Sequence, residues 1–191
     1  MGIKLAQYGI SHDHAAGKAR VMAESDEVDF CGVCEPSEEA RMSLGSNAAY
    51  EGVYWFSSPQ EMLADKSIVG IAIEGRVSQN LAFARQALEH GKHVWLDKPA
   101  GDDLGEFRAV LDIAREKKLF VQLGYMFRYN AGFQFIFDCV QAGMLGEIFS
   151  VRARISSGAA SEREWRRWDA RGEREGGIMF ILACHVIDAV V

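Results

Sequence analysis

Apolar and polar positions along roughly the first 125 residues switch repeatedly between a strand period and a helix period. Ile3-Lys-Leu-Ala-Gln-Tyr8 is a short apolar strand stopped by Gly9, and residues 14–24 carry helical spacing. Val28-Asp-Phe-Cys-Gly-Val-Cys34 predicts a second strand, closed by Glu35-Pro36, and Ser37 is placed to cap a helix through Met42. Val53-Tyr-Trp-Phe56 predicts a short third strand, after which Ser58-Pro59 opens a helix through Ala64. The almost unbroken apolar run Ile68–Ile73 is that of a central parallel strand covered on both faces. Residues 79–90 form an amphipathic helix ended by Gly91, and His93–Leu96 is a strand stopped by Asp97-Lys98-Pro99. A helix over Asp103–Lys118 and a strand over Leu119–Leu123 complete the rhythm. Its β-α-β-α order predicts an α/β fold with a doubly wound parallel sheet and right-handed crossovers.

The rhythm changes after Gly124. Phe133–Gln141 reads as a helix, and Ile148-Phe-Ser-Val-Arg-Ala-Arg-Ile155 alternates like a strand with one wet face. A polar, Arg-rich stretch runs from Ser156 to Glu175, and Gly176-Gly177 opens a last apolar helix. Two domains are expected, 1–123 with the doubly wound sheet and 124–191 as the beginning of a second. One strand and one or two helices are too little to close a core, so the second is expected to be truncated.

Composition adds mainly exclusions. With 49% hydrophobic and 25% charged residues, the chain is an ordinary globular sequence. Lys and Arg total 21 against 27 Asp and Glu, a net charge of −6, so nothing suggests binding to nucleic acid or to an anionic membrane surface. No apolar run approaches the roughly 20 residues of a membrane span. Met1-Gly-Ile-Lys leads straight into the first strand, without a secretory leader. Four scattered cysteines make no disulfide scaffold. The expectation is a reduced, soluble, cytoplasmic protein.

Candidate chemistry gathers where strands end. In a dinucleotide fold the first βα turn cradles a pyrophosphate on helix N-terminal amides. Here it reads Gly9-Ile-Ser11-His12-Asp-His14-Ala-Ala-Gly17, with Ser11 and His14 at positions where such loops carry further glycines. Glu35, ending the second strand, can accept hydrogen bonds from a ribose diol and repels a 2′-phosphate, which favours NAD over NADP. His12 and His14 near Cys34 and Glu35 have ligand chemistry, but no second cluster completes a site, so no metal is expected. Cys31-Gly-Val-Cys34 has redox spacing but lies inside a strand, away from the helix N-terminus that stabilises a thiolate, so it reads as a core pair. Asp97-Lys98-Pro99 places a cation at the carboxyl edge of the sheet, where ligands bind. A lysine there can move a proton or hold a substrate oxygen.

The segment Ala87-Leu-Glu-His-Gly-Lys-His-Val-Trp-Leu-Asp-Lys-Pro99 resembles the ALxxGKHVxxEKP pattern of the Gfo/Idh/MocA (glucose-fructose oxidoreductase, inositol dehydrogenase, rhizopine catabolism) family. The resemblance extends along the chain. Glu61-Met-Leu-Ala64, Gly124-Tyr-Met-Phe-Arg128-Tyr129, Gly143-Met-Leu-Gly-Glu-Ile148, and Gly176-Gly177 followed by His185-Val-Ile-Asp188 all look like family segments in family order. It implies an N-terminal NAD(P)-binding Rossmann domain and a C-terminal α/β domain with an open sheet, which often forms a homo-oligomer interface. It implies NAD(P)-linked oxidation or reduction of a sugar, polyol or related carbonyl. By motif match Lys98 and His185 take the catalytic positions. Gly9, Ser11, His12, His14, Glu35, Arg76, Asp97 and Lys98 are expected to face the cofactor, and Lys98, Arg128, Tyr129, Trp165 and His185 the substrate.

Three features depart from the family pattern. Ile181 stands where the family has an acid four residues before the histidine, Arg76 and Asn80 replace the proline and histidine of its TPxxxH segment, and the glycine loop keeps one glycine. Three activity classes therefore stay open: a dehydrogenase, a binding or regulatory protein without turnover, and a lyase or hydrolase that retains NAD.

Overall fold

The computed structural model describes residues 2–155 and 179–191, which divide into two compact units, Met1–Leu123 and Gly124–Val191. The first unit is a five-stranded parallel sheet: β1 (Ile3–Tyr8), β2 (Val28–Cys34), β3 (Gly70–Ile73), β4 (His93–Leu96) and β5 (Val121–Leu123), in the order β2-β1-β3-β4-β5. The helices α1 (Ala15–Glu24), α2 (Glu38–Leu44), α3 (Pro59–Ala64), α4 (Val77–Glu89) and α5 (Leu104–Lys117) lie between them in sequence. All four strand pairings are parallel, as crossover connections require.

Local chemistry sets the helix starts. Ser37 Oγ accepts from the Ala40 amide, Ser58 Oγ from Glu61 and Asp103 Oδ1 from Glu106, each satisfying an amide that the helix itself leaves unpaired. Pro59 occupies the first turn of α3, where its missing N–H costs nothing. β3 is buried along its whole length, as its apolar run predicts. Its Ile71 and Ile73 join Leu88, Leu96, Met62 and Val110 in the main core. A fully buried side chain of this size contributes about 1.5–3 kcal/mol.

The expected third strand is reduced to a single parallel bridge between Val33 and Trp55. The Val33 amide donates to Tyr54 and the Phe56 amide to Val33, after which Ser57 turns into α3. Gly52 at φ +72° closes the turn before it, so only a few residues are left to extend the ladder. The bridge lies against β2, so counting it as a strand gives the 3-2-1-4-5-6 order of dinucleotide-binding folds. Gly32 allows that approach: at φ +141°, a Cβ there would lie 2.5 Å from the Tyr54 carbonyl oxygen.

The second unit begins with a 3₁₀ turn at Met126–Tyr129, followed by α6 (Ala131–Gln141), whose N-cap Asn130 accepts from the Gly132 and Phe133 amides. A π-helical turn at Met179–Ala183 leads into α7 (Cys184–Val190). The expected strand at 148–155 is not formed: these residues have no regular structure, and Phe149 is 97% exposed. Alternating hydrophobicity shows that a segment suits a half-buried ladder, but a strand also needs a neighbour, and no described segment pairs with this one. The Arg-rich stretch, Trp165 and the Gly176-Gly177 opening of the last helix lie outside the described residues.

Candidate active site at the carboxyl edge of the sheet

The ends of β1, β3 and β4, with the first turn of α1, bring two buried carboxylates against a lysine and two histidines. Glu74 follows β3 and Asp97 follows β4; they are 0% and 1% exposed. Lys18, on the inward face of α1 with Ala15, Ala19 and Met22, reaches between them. Its Nζ forms an ion pair with Glu74 Oε1 and lies 2.9 Å from Asp97 Oδ2, and it sits over the Trp95 ring at 4.4 Å. His12 Nδ1 is 3.5 Å from Glu74 Oε2 and 3.8 Å from Asp97 Oδ2, and His14 Nδ1 is 3.2 Å from both Asp97 oxygens. Asp97 Oδ1 also accepts the Lys98 backbone N–H at 2.6 Å.

These contacts determine the charges. Burial alone pushes the Asp97 carboxyl up, but the hydrogen bond from His14 and the nearby charges of Lys18, His12 and His14 hold it well below the usual carboxylate range. Burial pushes His12 down, and this is outweighed by its bond to Glu74 and by the charges of Asp97 and Glu74, so its basicity rises above that of a free histidine.

Gly9 sets the turn above this cluster. Its φ is +88°, and a Cβ there would lie 2.5 Å from the Gly75 nitrogen, so the turns after β1 and β3 approach as only glycine allows. Ser11 is half-buried in the turn. His12 lies against Glu74 and Asp97, while His14 remains largely exposed. α1 has no side-chain cap, so its first amides are not satisfied by a capping side chain. Glu35 is fixed at the end of β2 by two amides: its Oε2 accepts from Ile10 and its Oε1 from Ser37, each at 2.8 Å. Arg76 is exposed at the start of α4, and Lys98 is buried beside Pro99 across a cis peptide bond.

The candidates in the second unit divide differently. His185 is buried on α7, with the Tyr125 ring edge-on at 5.9 Å and the Phe127 ring at 5.4 Å. Arg128 grips Asp188 with Nε and Nη2, each 2.8 Å from a different carboxylate oxygen, and Tyr129 is exposed. Arg128, expected to face substrate, joins the 3₁₀ turn to α7 through this fork. Trp165 lies outside the described residues.

The sequence reading missed Lys18 and Glu74. Each carried a signal: Lys18 falls on the apolar i, i+3, i+4, i+7 stripe of α1, and Glu74 directly follows an apolar run. A charge at either position implies a buried partner. The cysteines fit the expected core pair. Cys34 is buried and its thiol is pushed up to about 12 by burial and by Glu35, and half-buried Cys31 is also raised by burial. Among the described residues, no helix is long and apolar enough to cross a membrane.

Residues 9–125 match the model of an oxidoreductase family with an NAD-binding Rossmann fold, and residues 138–191 match the model of that family's C-terminal α/β domain. The rhizopine catabolism protein MocA of Rhizobium meliloti is 25% identical over 132 residues, which is 69% of this chain and 40% of that protein. A dTDP-3,4-didehydro-2,6-dideoxy-α-D-glucose 3-reductase of Streptomyces violaceoruber is 26% identical over 145 residues, 75% of this chain and 40% of the reductase. The crystal structure of scyllo-inositol dehydrogenase from Lactobacillus casei with NAD(H) and scyllo-inositol superposes with a TM-score of 0.82 at 20% identity, covering 100% of this chain and 55% of that one. The chain thus spans about two fifths of the curated relatives it matches and about half of that solved structure.

Proposed function

The chain belongs to the Gfo/Idh/MocA oxidoreductase family, and from that premise we propose that it is an NAD-dependent dehydrogenase of a sugar, polyol or related hydroxyl compound. The observation that carries the reading is Glu35, held at the end of β2 by the Ile10 and Ser37 amides. Each carboxylate oxygen has a further lone pair for a ribose hydroxyl, and the negative charge disfavours a 2′-phosphate. The turn fits a dinucleotide: Gly9 keeps it free of a Cβ, the α1 amides have no side-chain cap, and Lys18 and the histidines offset the carboxylates beneath.

Bound nicotinamide supplies the hydride acceptor or donor. The residues of the chain bind, orient and move protons. Gly9, Ser11 and the first amides of α1 would hold the pyrophosphate, with His12, His14 and Arg76 as further residues toward the cofactor. Asp97 acts through others, fixing the Lys98 amide, His14 and Lys18. Lys98 holds the substrate oxygen and exchanges its proton, and His185 is the second proton-handling group. Arg128 and Tyr129 face the substrate in this reading. The reading places the protein in the cytoplasm as a homo-oligomer.

Binding without turnover has its own support. Ile181 stands where the family pattern has an acid four residues before His185.

Turnover is tested by following NADH formation against a panel of inositols and hexoses, with Lys98→Met as control. Substrate-dependent NADH formation lost in Lys98→Met supports the dehydrogenase. NADH binding with no turnover on any substrate supports the binding protein.

A further inference from the structure

We propose that His12, His14 and Asp97 form a binding site for a divalent transition-metal ion of the zinc class. One nitrogen from each imidazole and one Asp97 oxygen all lie within 4.8 Å of one another. The 3.2 Å from His14 Nδ1 to Asp97 Oδ1 is close to the edge of a small coordination polyhedron, and His12 Nδ1 lies 3.8 Å from the other carboxylate oxygen, Oδ2. Zinc bonds of about 2.0 Å in a tetrahedron put neighbouring ligand atoms about 3.3 Å apart. The three residues come from the β1–α1 turn and the end of β4, so the fold assembles the triad.

The donor set selects the class of ion. Two imidazoles and one carboxylate suit Zn²⁺, Co²⁺ and Ni²⁺, whereas Mg²⁺ and Ca²⁺ favour sites built from oxygen donors. Three protein ligands leave a fourth position for water or an exogenous group.

The surrounding charges leave room for the ion. Lys18 takes Asp97 Oδ2 and Glu74, and the Lys98 backbone amide takes one lone pair of Oδ1. His14 Nδ1 lies 3.2 Å from Oδ1, and the His14 side chain is 51% exposed and opens the site to solvent. His12, His14 and Asp97 also belong to the proposed nucleotide site, so the ion is tested with no nucleotide present.

The test is a Co²⁺ titration of the metal-free chain without nucleotide, read by the visible d–d bands and confirmed by Zn²⁺ displacement. The expected result is one equivalent bound with nitrogen and oxygen ligation, and affinity reduced at least about tenfold in both His12→Ala and His14→Ala. His14→Cys supplies a second readout: Co²⁺ should then show a thiolate charge-transfer band that the unaltered chain lacks. The proposal is overturned by no binding, by binding undiminished in the alanine variants, by a thiolate band in the unaltered chain, or by its absence in folded His14→Cys.

Discussion

The ammonium of Lys18 lies 2.9 Å from the carboxylate of Asp97, joining the first helix to the end of the fourth strand at a depth where only 7% of Lys18 and 1% of Asp97 are exposed. Lys18 pairs with Glu74 as well. Removing the amine leaves two buried anions with only histidine partners, and breaking a buried pair on one side costs about 3–5 kcal/mol. Lys18→Met should therefore lower the free energy of unfolding by that order in urea denaturation. A loss below about 1 kcal/mol, the range of a surface pair, would contradict the arrangement.

Arg128 and Asp188 form the opposite kind of pair. The guanidinium is about half exposed, so the bond is screened by solvent despite its two-pronged geometry. Arg128→Leu should cost less than about 1 kcal/mol. It should instead speed amide exchange in α7, measured by hydrogen–deuterium exchange. Unchanged protection of α7 would remove the tethering role.

Gly9→Ala should destabilise by at least about 1–3 kcal/mol, because it forces a left-handed backbone on an alanine and drives its Cβ into Gly75. Thermal melting checks this, and an unchanged midpoint would show that the two turns can separate without cost.

Alkaline pH should weaken the first unit. The Cys34 thiol and the Tyr50 hydroxyl are both pushed up to about 12 by burial. A folded pKa above the unfolded one gives stability that is complete below the unfolded value and lost as pH rises toward the folded one. Stability should thus decline between about pH 9 and 12, beginning with the thiol, whose unfolded pKa is the lower. Cys34→Ala should flatten the first part of that decline in equilibrium unfolding measured across pH. An equally steep early decline in the variant would contradict a protonated, buried Cys34.

Strand and helix periods were legible from Ile3 to Leu123 because burial on one or two faces writes itself into residue spacing. Caps at Ser37, Ser58 and Asp103 were equally local. What escaped the reading depends on partners distant in sequence. Val53–Phe56 and Ile148–Ile155 have suitable residues, yet the first finds one bridge and the second no described neighbour. Lys18, Glu74 and Asp97 come from three separate elements, so their convergence follows from the sheet order. His12 and His14 were visible as possible ligands, but the carboxylate that joins them lies 83 residues beyond His14.

Calorimetric titration of the chain with NADH and NADPH tests the central claim most directly, with Glu35→Gln as the variant. The account predicts that NADH binds more tightly than NADPH by about tenfold, or 1.4 kcal/mol, and that Glu35→Gln narrows the difference by relieving the 2′-phosphate. Equal or tighter binding of NADPH, or no binding of either nucleotide by a chain with native circular dichroism, would contradict it.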